Sequence, residues 1–199
     1  MKNIRTKIKT VAIILSCTFI PMVKGASFLG LPAYAGSGCP QGSLDFVPSE
    51  DGNGFSVIFQ DYTVSAGVGS GNSGLARKNC SIAMPLHVPA GYSVALMKSS
   101  VEMDYSLPAQ SSARLSLSAF FAGSQGPSFV KTMNSGFDSS SLITFNHVPG
   151  AIEWSRCGDD VILRLATSLL VRTSNRFQAA EASIVALPSM FELQWRKCK

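Results

Sequence analysis

The sequence predicts a single all-β domain: an antiparallel β-sandwich of jelly-roll or Greek-key type stapled by two disulfides, with a barrel as the lesser option. Three features support this fold class. Apolar and polar residues alternate through short segments, Gly- and Ser-rich turns separate these segments, and four widely spaced cysteines follow an export signal. No segment after residue 35 keeps a helical period. We expect about nine or ten strands in this one domain.

Residues 1–35 form the predicted export signal. Four basic residues and no acidic residue precede the run VAIILSCTFIPMV, which is too short to span a bilayer as a helix. The small residues in Ala33-Tyr34-Ala35 suit signal peptidase, so we predict cleavage after Ala35, with cleavage after Gly25 as the alternative. Acylation of Cys17 is disfavoured because a poor lipobox precedes it. The β-sandwich domain is then residues 36–199, without a membrane span, in a secreted or periplasmic or cell-surface location.

The basic character of the chain belongs to this leader. The whole chain has 17 Lys and Arg against 12 Asp and Glu, but five of the bases and none of the acids precede residue 36, which leaves twelve of each. Binding to nucleic acid through its phosphates requires a clustered positive surface. A domain with zero formal net charge is therefore not predicted to bind nucleic acid.

The predicted strands follow one another with the period of two that a half-buried strand requires. Clusters such as EDGNG, GVGSGNSG and NSGFDSSS separate them and have the composition of turns. The segment around Ala180-Glu181-Ala182 is interpreted as strand rather than as a single helical turn. The expected core-facing residues are, in chain order, Phe55, Val57, Phe59, Val101, Met103, Tyr105, Leu115, Leu117, Ala119, Phe121, Val161, Leu163, Leu165, Phe191, Leu193 and Trp195.

The four cysteines after the leader are predicted to form two disulfides. They are Cys39, Cys80, Cys157 and Cys198, an even number in an exported chain. Zinc ligands usually come in close pairs, whereas these cysteines are about forty residues apart, so no metal is expected. Three pairings are possible. We favour Cys39–Cys80 with Cys157–Cys198, which attaches each end of the domain to a neighbouring strand.

Aromatic and histidine side chains supply the candidate ligand-binding residues. Aromatic faces suit sugar rings, and Trp154 and Tyr92 are the candidates for such a platform, since Trp195 belongs to the apolar side of its strand. His87 and His147 each begin a His-Val-Pro tripeptide and could approach each other. No third or fourth metal ligand accompanies them at a suitable spacing, so the repeat is interpreted as two similar strand ends.

No catalytic residue is assigned from the sequence. Glu102 and Asp104 are two residues apart, so both side chains point to one face of a strand at roughly 7 Å, a separation that a glycosidase pair can use. Ser100 and Ser106 share that face, which favours a solvated outer surface. Asp159-Asp160 are expected in a turn. The Gly-rich segments do not precede a helix and therefore bind no nucleotide phosphate, and no cofactor is expected.

The sequence around the cysteines resembles the exported-protein family catalogued as domain of unknown function 4360. The resemblance rests on GSGCPQGS at 36–43, RKNC at 77–80 followed by PLHVPAGYS, WSRCG at 154–158 and LQWRKC at 193–198. It extends over nearly the whole mature chain, and one departure is Arg156, where a small residue or proline is expected before the third cysteine. The resemblance implies a small secreted β-rich domain with two disulfides and no established activity.

Together these features predict a non-enzymatic binding or structural module with a glycan or an extracellular protein as partner. The alternative is a secreted carbohydrate-active hydrolase that uses surface carboxylates, either Glu102 with Asp104 or the pair Asp159-Asp160. A purely structural role with self-association is a third hypothesis.

Overall fold

The computed structural model describes residues 27–146 and 152–198, without the side chains of residue 27 and residues 136–138. Eleven strands and no helix are found in this part of the chain. All of their pairings are antiparallel, and hydrogen bonding joins them into one continuous sheet. The strands are β1 Ser27–Phe28, β2 Ala33–Ala35, β3 Leu44–Pro48, β4 Gly54–Phe59, β5 Tyr62–Ala66, β6 Leu75–His87, β7 Tyr92–Phe121, β8 Ser128–Asn146, β9 Val161–Thr173, β10 Ala180–Ile184 and β11 Ser189–Lys197.

The sheet folds over itself into two layers because β7 and β8 run through both. The first part of β7 pairs with β11 and β10, which continue to β4, β3 and β5. The second part of β7 pairs with β9, which continues to β6, β1 and β2. The predicted all-β antiparallel sandwich is therefore confirmed. Nine of the strands follow residue 35, as expected, and β10 is a strand rather than a helical turn.

The bend between the layers lies at residues 106–111 of β7. The register with β8 shifts on both sides of Leu107, and Gln110 has a positive φ of 65°. Pro108 has no amide hydrogen and cannot donate to the ladder. Irregular pairing of this kind bends a strand and increases its twist. A strand of 30 residues can in this way cross from one layer to the other.

The apolar face of each layer is buried against the other, as the period of two predicted. The predicted core-facing residues of β4, the second part of β7 and β9 lie in one buried cluster, where Val161 is only partly buried. Tyr105 and Trp195 pack against the same cluster while partly exposed. At about 25 cal/mol per Å² of apolar area, this burial is the main favourable contribution to folding.

Tyr62 connects the two layers through a buried hydrogen-bonding group. Its side chain is 1% exposed, and its hydroxyl lies 3.3 Å from the Lys78 carbonyl oxygen of β6 and 3.2 Å from Thr167 Oγ1 of β9. A phenol buried without a partner would cost free energy, which these contacts avoid. The register of β5 against the second layer is therefore fixed by a polar contact as well as by packing.

Candidate functional site

Both disulfides join the cysteines that the sequence analysis paired. Cys39 is bonded to Cys80 and Cys157 to Cys198, with Cα atoms 5.4 and 6.1 Å apart, and each bond closes a sequence separation of 41 residues. In the chain-entropy description, a loop of this length stabilises the fold by roughly 4 kcal/mol. The first bond attaches the segment before β3 to β6, and the second attaches the residue after β11 to the segment before β9.

The first disulfide holds the loop GSGCP against β6. The Gly38 amide donates to the Asn79 carbonyl oxygen at 2.8 Å, and Ser37 Oγ donates to Asn79 Oδ1 at 3.0 Å. A Cβ atom added at Gly38 would lie 2.3 Å from the Tyr62 ring. The small residues of this motif therefore have a structural role, because they let the loop approach both β6 and the buried tyrosine.

The second disulfide lies at one end of the sheet, where several segments of the chain meet. The Ser155 amide donates to the Val94 carbonyl oxygen at 2.8 Å, and the Gly158 amide donates to the Tyr92 carbonyl oxygen at 2.9 Å. The segment 155–158 thus lies alongside the beginning of β7. On its other edge, β7 pairs with β11, whose last residues lead to Cys198. Parts of the chain that are far apart in sequence meet here.

Three of the four predicted ligand-binding residues lie at this end. Trp154 stands beside Arg196, whose guanidinium carbon is 4.0 Å from the ring centroid. Tyr92 packs partly buried against the core. His87 ends β6, and its Nδ1 lies 2.7 Å from Asp160 Oδ1. His147 lies outside the described residues.

These contacts restrict how the predicted residues can meet a ligand. Arg196 covers one face of the Trp154 ring, so a sugar cannot stack on that face. His87 already has a carboxylate partner, although both side chains are about half exposed, at 49% and 61%. In this structure the partner of Asp160 is therefore His87. Ligand binding by Trp154, Tyr92 and His87 stays a prediction.

A second group of polar side chains lines an open groove on the outer surface of the first layer. We name it the serine–carboxylate groove. Its volume is about 380 Å³, and β7, β8 and β10 contribute its walls. The lining residues are Asp104, Tyr105, Ser106, Ser139, Ser140, Glu181 and Ser183.

Strand register explains why these residues meet. Asp104 of β7 is paired with Ser183 of β10 on one side and with Ser140 of β8 on the other. Glu181 is paired with Ser106. Asp104 and Glu181 are thus diagonal neighbours on one face, about 7 Å apart at Cβ. Because successive side chains of a strand alternate, Asp104 and Ser106 point outward on β7, while Tyr105 between them packs against the core and also borders the groove.

Two hydrogen bonds orient carboxylates at the rim of the groove. Ser65 Oγ of β5 donates to Glu181 Oε2 at 2.5 Å, and Ser140 Oγ donates to Glu102 Oε1 at 3.3 Å. Asp104 and Glu181 are both exposed. The arrangement offers several acceptor oxygens next to hydroxyl groups that can donate or accept. It is suited to a ligand with many hydroxyl groups.

The sequence analysis found part of this groove. It placed Glu102 and Asp104 with serines on one outer face, which agrees with their outward positions on β7. It did not find Glu181 or the serines of β8, because their proximity depends on which strands pair. Among the described residues, no group of three or more His, Cys, Asp or Glu side chains could hold a metal ion.

Comparison with known proteins places the chain in context. The sequence model of the family described as "Domain of unknown function (DUF4360)" matches residues 30–198. An uncharacterized secreted protein of Arthroderma benhamiae is 22% identical over 170 residues, which cover 83% of this chain and 69% of that protein. The two disulfides and this secreted relative agree with an extracytoplasmic location. The described part of the chain contains no helix long and apolar enough to cross a membrane.

Similarity to solved structures is loose. TmCBM61 in complex with beta-1,4-galactotriose overlaps with a TM-score of 0.32 at 8% identity, covering 84% of this chain and 88% of the other. The family 11 carbohydrate-binding module from Clostridium thermocellum, in complex with a mixed-linked tetrasaccharide, overlaps with a TM-score of 0.20 at 11% identity, covering 82% and 97%. The enzymatically active domain of bacteriophage CBA120 tailspike protein 4 gives 0.25 at 10%, covering 89% and 20%. Similarity at this level gives no information about which ligand this chain binds.

Proposed function

This chain belongs to the DUF4360 family, whose description names no function, and we propose that it is a non-enzymatic extracytoplasmic domain that binds a neutral glycan in the serine–carboxylate groove. The observation that carries the proposal is the meeting of Asp104 and Glu181 with serines from three strands in one open depression. The carboxylate oxygens and serine hydroxyls of this surface match the hydroxyl groups of a sugar.

Hydrogen-bond chemistry supports a glycan as the ligand. An ionised carboxylate has two oxygen atoms and accepts bonds from two neighbouring hydroxyl groups, and such charge-assisted bonds are shorter and stronger than neutral ones. Serine hydroxyls then complete the contacts as donors or acceptors. The groove lies on paired strands of a disulfide-stapled sheet, so the groups are held in place before the ligand arrives.

Exposure favours binding over hydrolysis. A glycosidase needs one carboxyl group that stays protonated to donate its proton to the leaving oxygen, and burial in an apolar pocket is the usual means of achieving this. Asp104 and Glu181 are both exposed in an open groove. The groove therefore has the acceptors for a sugar but does not desolvate either carboxyl group.

A glycan array with matched variants tests this function. We expect the secreted protein to bind neutral glycans and the double variant Asp104→Asn with Glu181→Gln to lose about tenfold or more in affinity, since each lost charge-assisted bond is worth roughly 1.5 kcal/mol. The matched control is Glu50→Gln with Asp159→Asn, which removes two exposed carboxylates outside the groove and should leave affinity within about twofold.

Two outcomes would overturn the proposal. Equal loss of binding in both double variants would show that charge rather than the groove matters. Release of reducing sugar that depends on Asp104 and Glu181 would show a hydrolase instead.

A further inference from the structure

The outer surface of the second layer carries four arginines and forms a separate surface, which we name the arginine face. Outward positions of β6, β9 and the second part of β7 make up this surface. Leu170 of β9 lies between Arg77 of β6 and Arg114 of β7, and Arg172 is two residues further along β9. Arg164 lies six residues from Leu170 in the other direction, about 20 Å away along the strand.

Within residues 27–146 and 152–198 as described, these four arginines have no acidic partner. All four are exposed, and none takes part in the two ion pairs found among the described residues, His87–Asp160 and Lys98–Glu192. The outward positions of the three strands include no Asp or Glu. Asp160 is the acidic residue just before β9, and it is engaged by His87. The guanidinium groups are therefore free to meet a ligand, although Arg77 Nε also donates to Ser168 Oγ at 2.7 Å.

Between Arg164 and the other arginines, the surface is formed mainly by small side chains. Ala83, Arg164 and Phe120 lie side by side on three neighbouring strands. Two residues along β9 towards Leu170, the next row contains Ser81, Ala166 and Ser118. A depression of about 270 Å³ with Tyr34 and Phe120 in its walls lies over these rows. An extended chain can approach such a floor closely, with guanidinium groups at both ends of its path.

We propose that the arginine face binds an anionic polysaccharide, with carboxylate or sulfate groups held by Arg77, Arg114, Arg164 and Arg172. Arginine binds such groups through two parallel hydrogen bonds, which gives both affinity and orientation. An extracytoplasmic domain meets anionic glycans at cell surfaces. Nucleic acid is the less suitable ligand because single-stranded binders stack bases on successive exposed aromatic rings, whereas Tyr34 and Phe120 are both partly buried.

This second site does not depend on the serine–carboxylate groove, which lies on the other layer and has the opposite charge. The separation of the arginines predicts a length requirement. A ligand must span about 20 Å to reach Arg164 and the Arg77–Arg114 pair together, so a polymer should bind much more tightly than its monomer. Affinity should also fall steeply with salt, because binding releases counterions from the polyanion.

The test measures binding of the full secreted protein to immobilised polygalacturonate and dextran sulfate, with neutral dextran as the control surface, at about 50 and about 500 mM NaCl. The variant replaces Arg77, Arg114, Arg164 and Arg172 by Gln. Its matched control replaces four exposed bases elsewhere, Lys131, Arg156, Arg176 and Lys197, by Gln, which removes the same charge. Circular dichroism checks that both variants are folded.

We expect the face variant to lose at least about tenfold in affinity for the polyanions and most of its salt dependence, while the control variant stays within about threefold. Asp104→Asn with Glu181→Gln should keep polyanion binding, which separates this result from that of the groove. Galacturonate monomer should not compete. An equal loss of polyanion affinity in the face variant and in the control variant would overturn the proposal. So would tighter binding to single-stranded DNA than to either polysaccharide.

Discussion

At the scale of single residues, Tyr62 shows most clearly how the layers are held in register. Its hydroxyl reaches β6 and β9 while its ring meets Gly38 of the first disulfide loop. Burial raises the pKa of Tyr62 to about 12, and the hydrogen bond with Thr167 opposes this effect only in part. The neutral phenol is therefore favoured by the folded state, which has a measurable consequence for stability.

The stability of the protein should fall above pH 10 because of Tyr62. Tyrosine in the unfolded chain releases its proton near its model value of 10.0, whereas Tyr62 keeps its proton up to about 12. The unfolded state thus binds fewer protons between these values, and the free energy of unfolding decreases as pH rises. Urea unfolding should show a loss of roughly 1 kcal/mol between about pH 8 and pH 11 that Tyr62→Phe lacks.

The variant Tyr62→Phe is itself the control, since the other tyrosines remain in both proteins. At about pH 8 it should be about 1 kcal/mol less stable, because the Lys78 carbonyl loses a donor. Parallel pH profiles for the two proteins would contradict this account of Tyr62.

At the scale of elements, β1 and β2 belong to the sheet although they lie within the predicted signal peptide. Both pair with β6. The Phe28 ring packs edge-on against Phe46, with centroids 4.9 Å apart, and the Gly42 amide donates to the Tyr34 hydroxyl at 2.9 Å. Cleavage after Ala35 would remove these contacts and uncover the edge of β6, whereas cleavage after Gly25 would keep them.

We therefore propose cleavage after Gly25, the alternative of the sequence analysis, with Ala26 as the first residue of the mature protein. Intact mass and N-terminal sequencing of secreted protein measure this directly. A mature chain that begins at Gly36 would show that β6 tolerates an open edge and that the wall of the arginine face formed by Tyr34 is absent.

The elements that the sequence predicted well are those in which local pattern decides the outcome. Alternation placed Phe55, Leu115 and Leu163 in the core, and the count and spacing of cysteines predicted both disulfides. The length of β7 and its passage between layers could not be predicted, because the bend at Pro108 and Gln110 looks locally like a turn. Neither could the groove, since Glu181 reaches Asp104 only through the pairing of β10 with β7.

At the scale of the whole molecule, a formal net charge of zero conceals an uneven distribution. Three of the carboxylates, on Glu102, Asp104 and Glu181, point outward from the first layer, and four arginines point outward from the second. Net charge controls solubility and long-range attraction, but local charge decides what a surface binds. The sequence analysis excluded nucleic acid on the net charge, and that argument does not exclude an anionic polysaccharide on the arginine face.

The central claim is that the serine–carboxylate groove binds a neutral glycan without cleaving it. The most direct measurement is an NMR titration of isotope-labelled protein with the neutral oligosaccharide that binds best on the array, in which the sugar signals are followed in the same sample. The account predicts saturable shifts of the amides around Asp104, Ser140 and Glu181, with the oligosaccharide intact at the end. Shifts confined to other surfaces, or new reducing-end signals that grow with time, would contradict it.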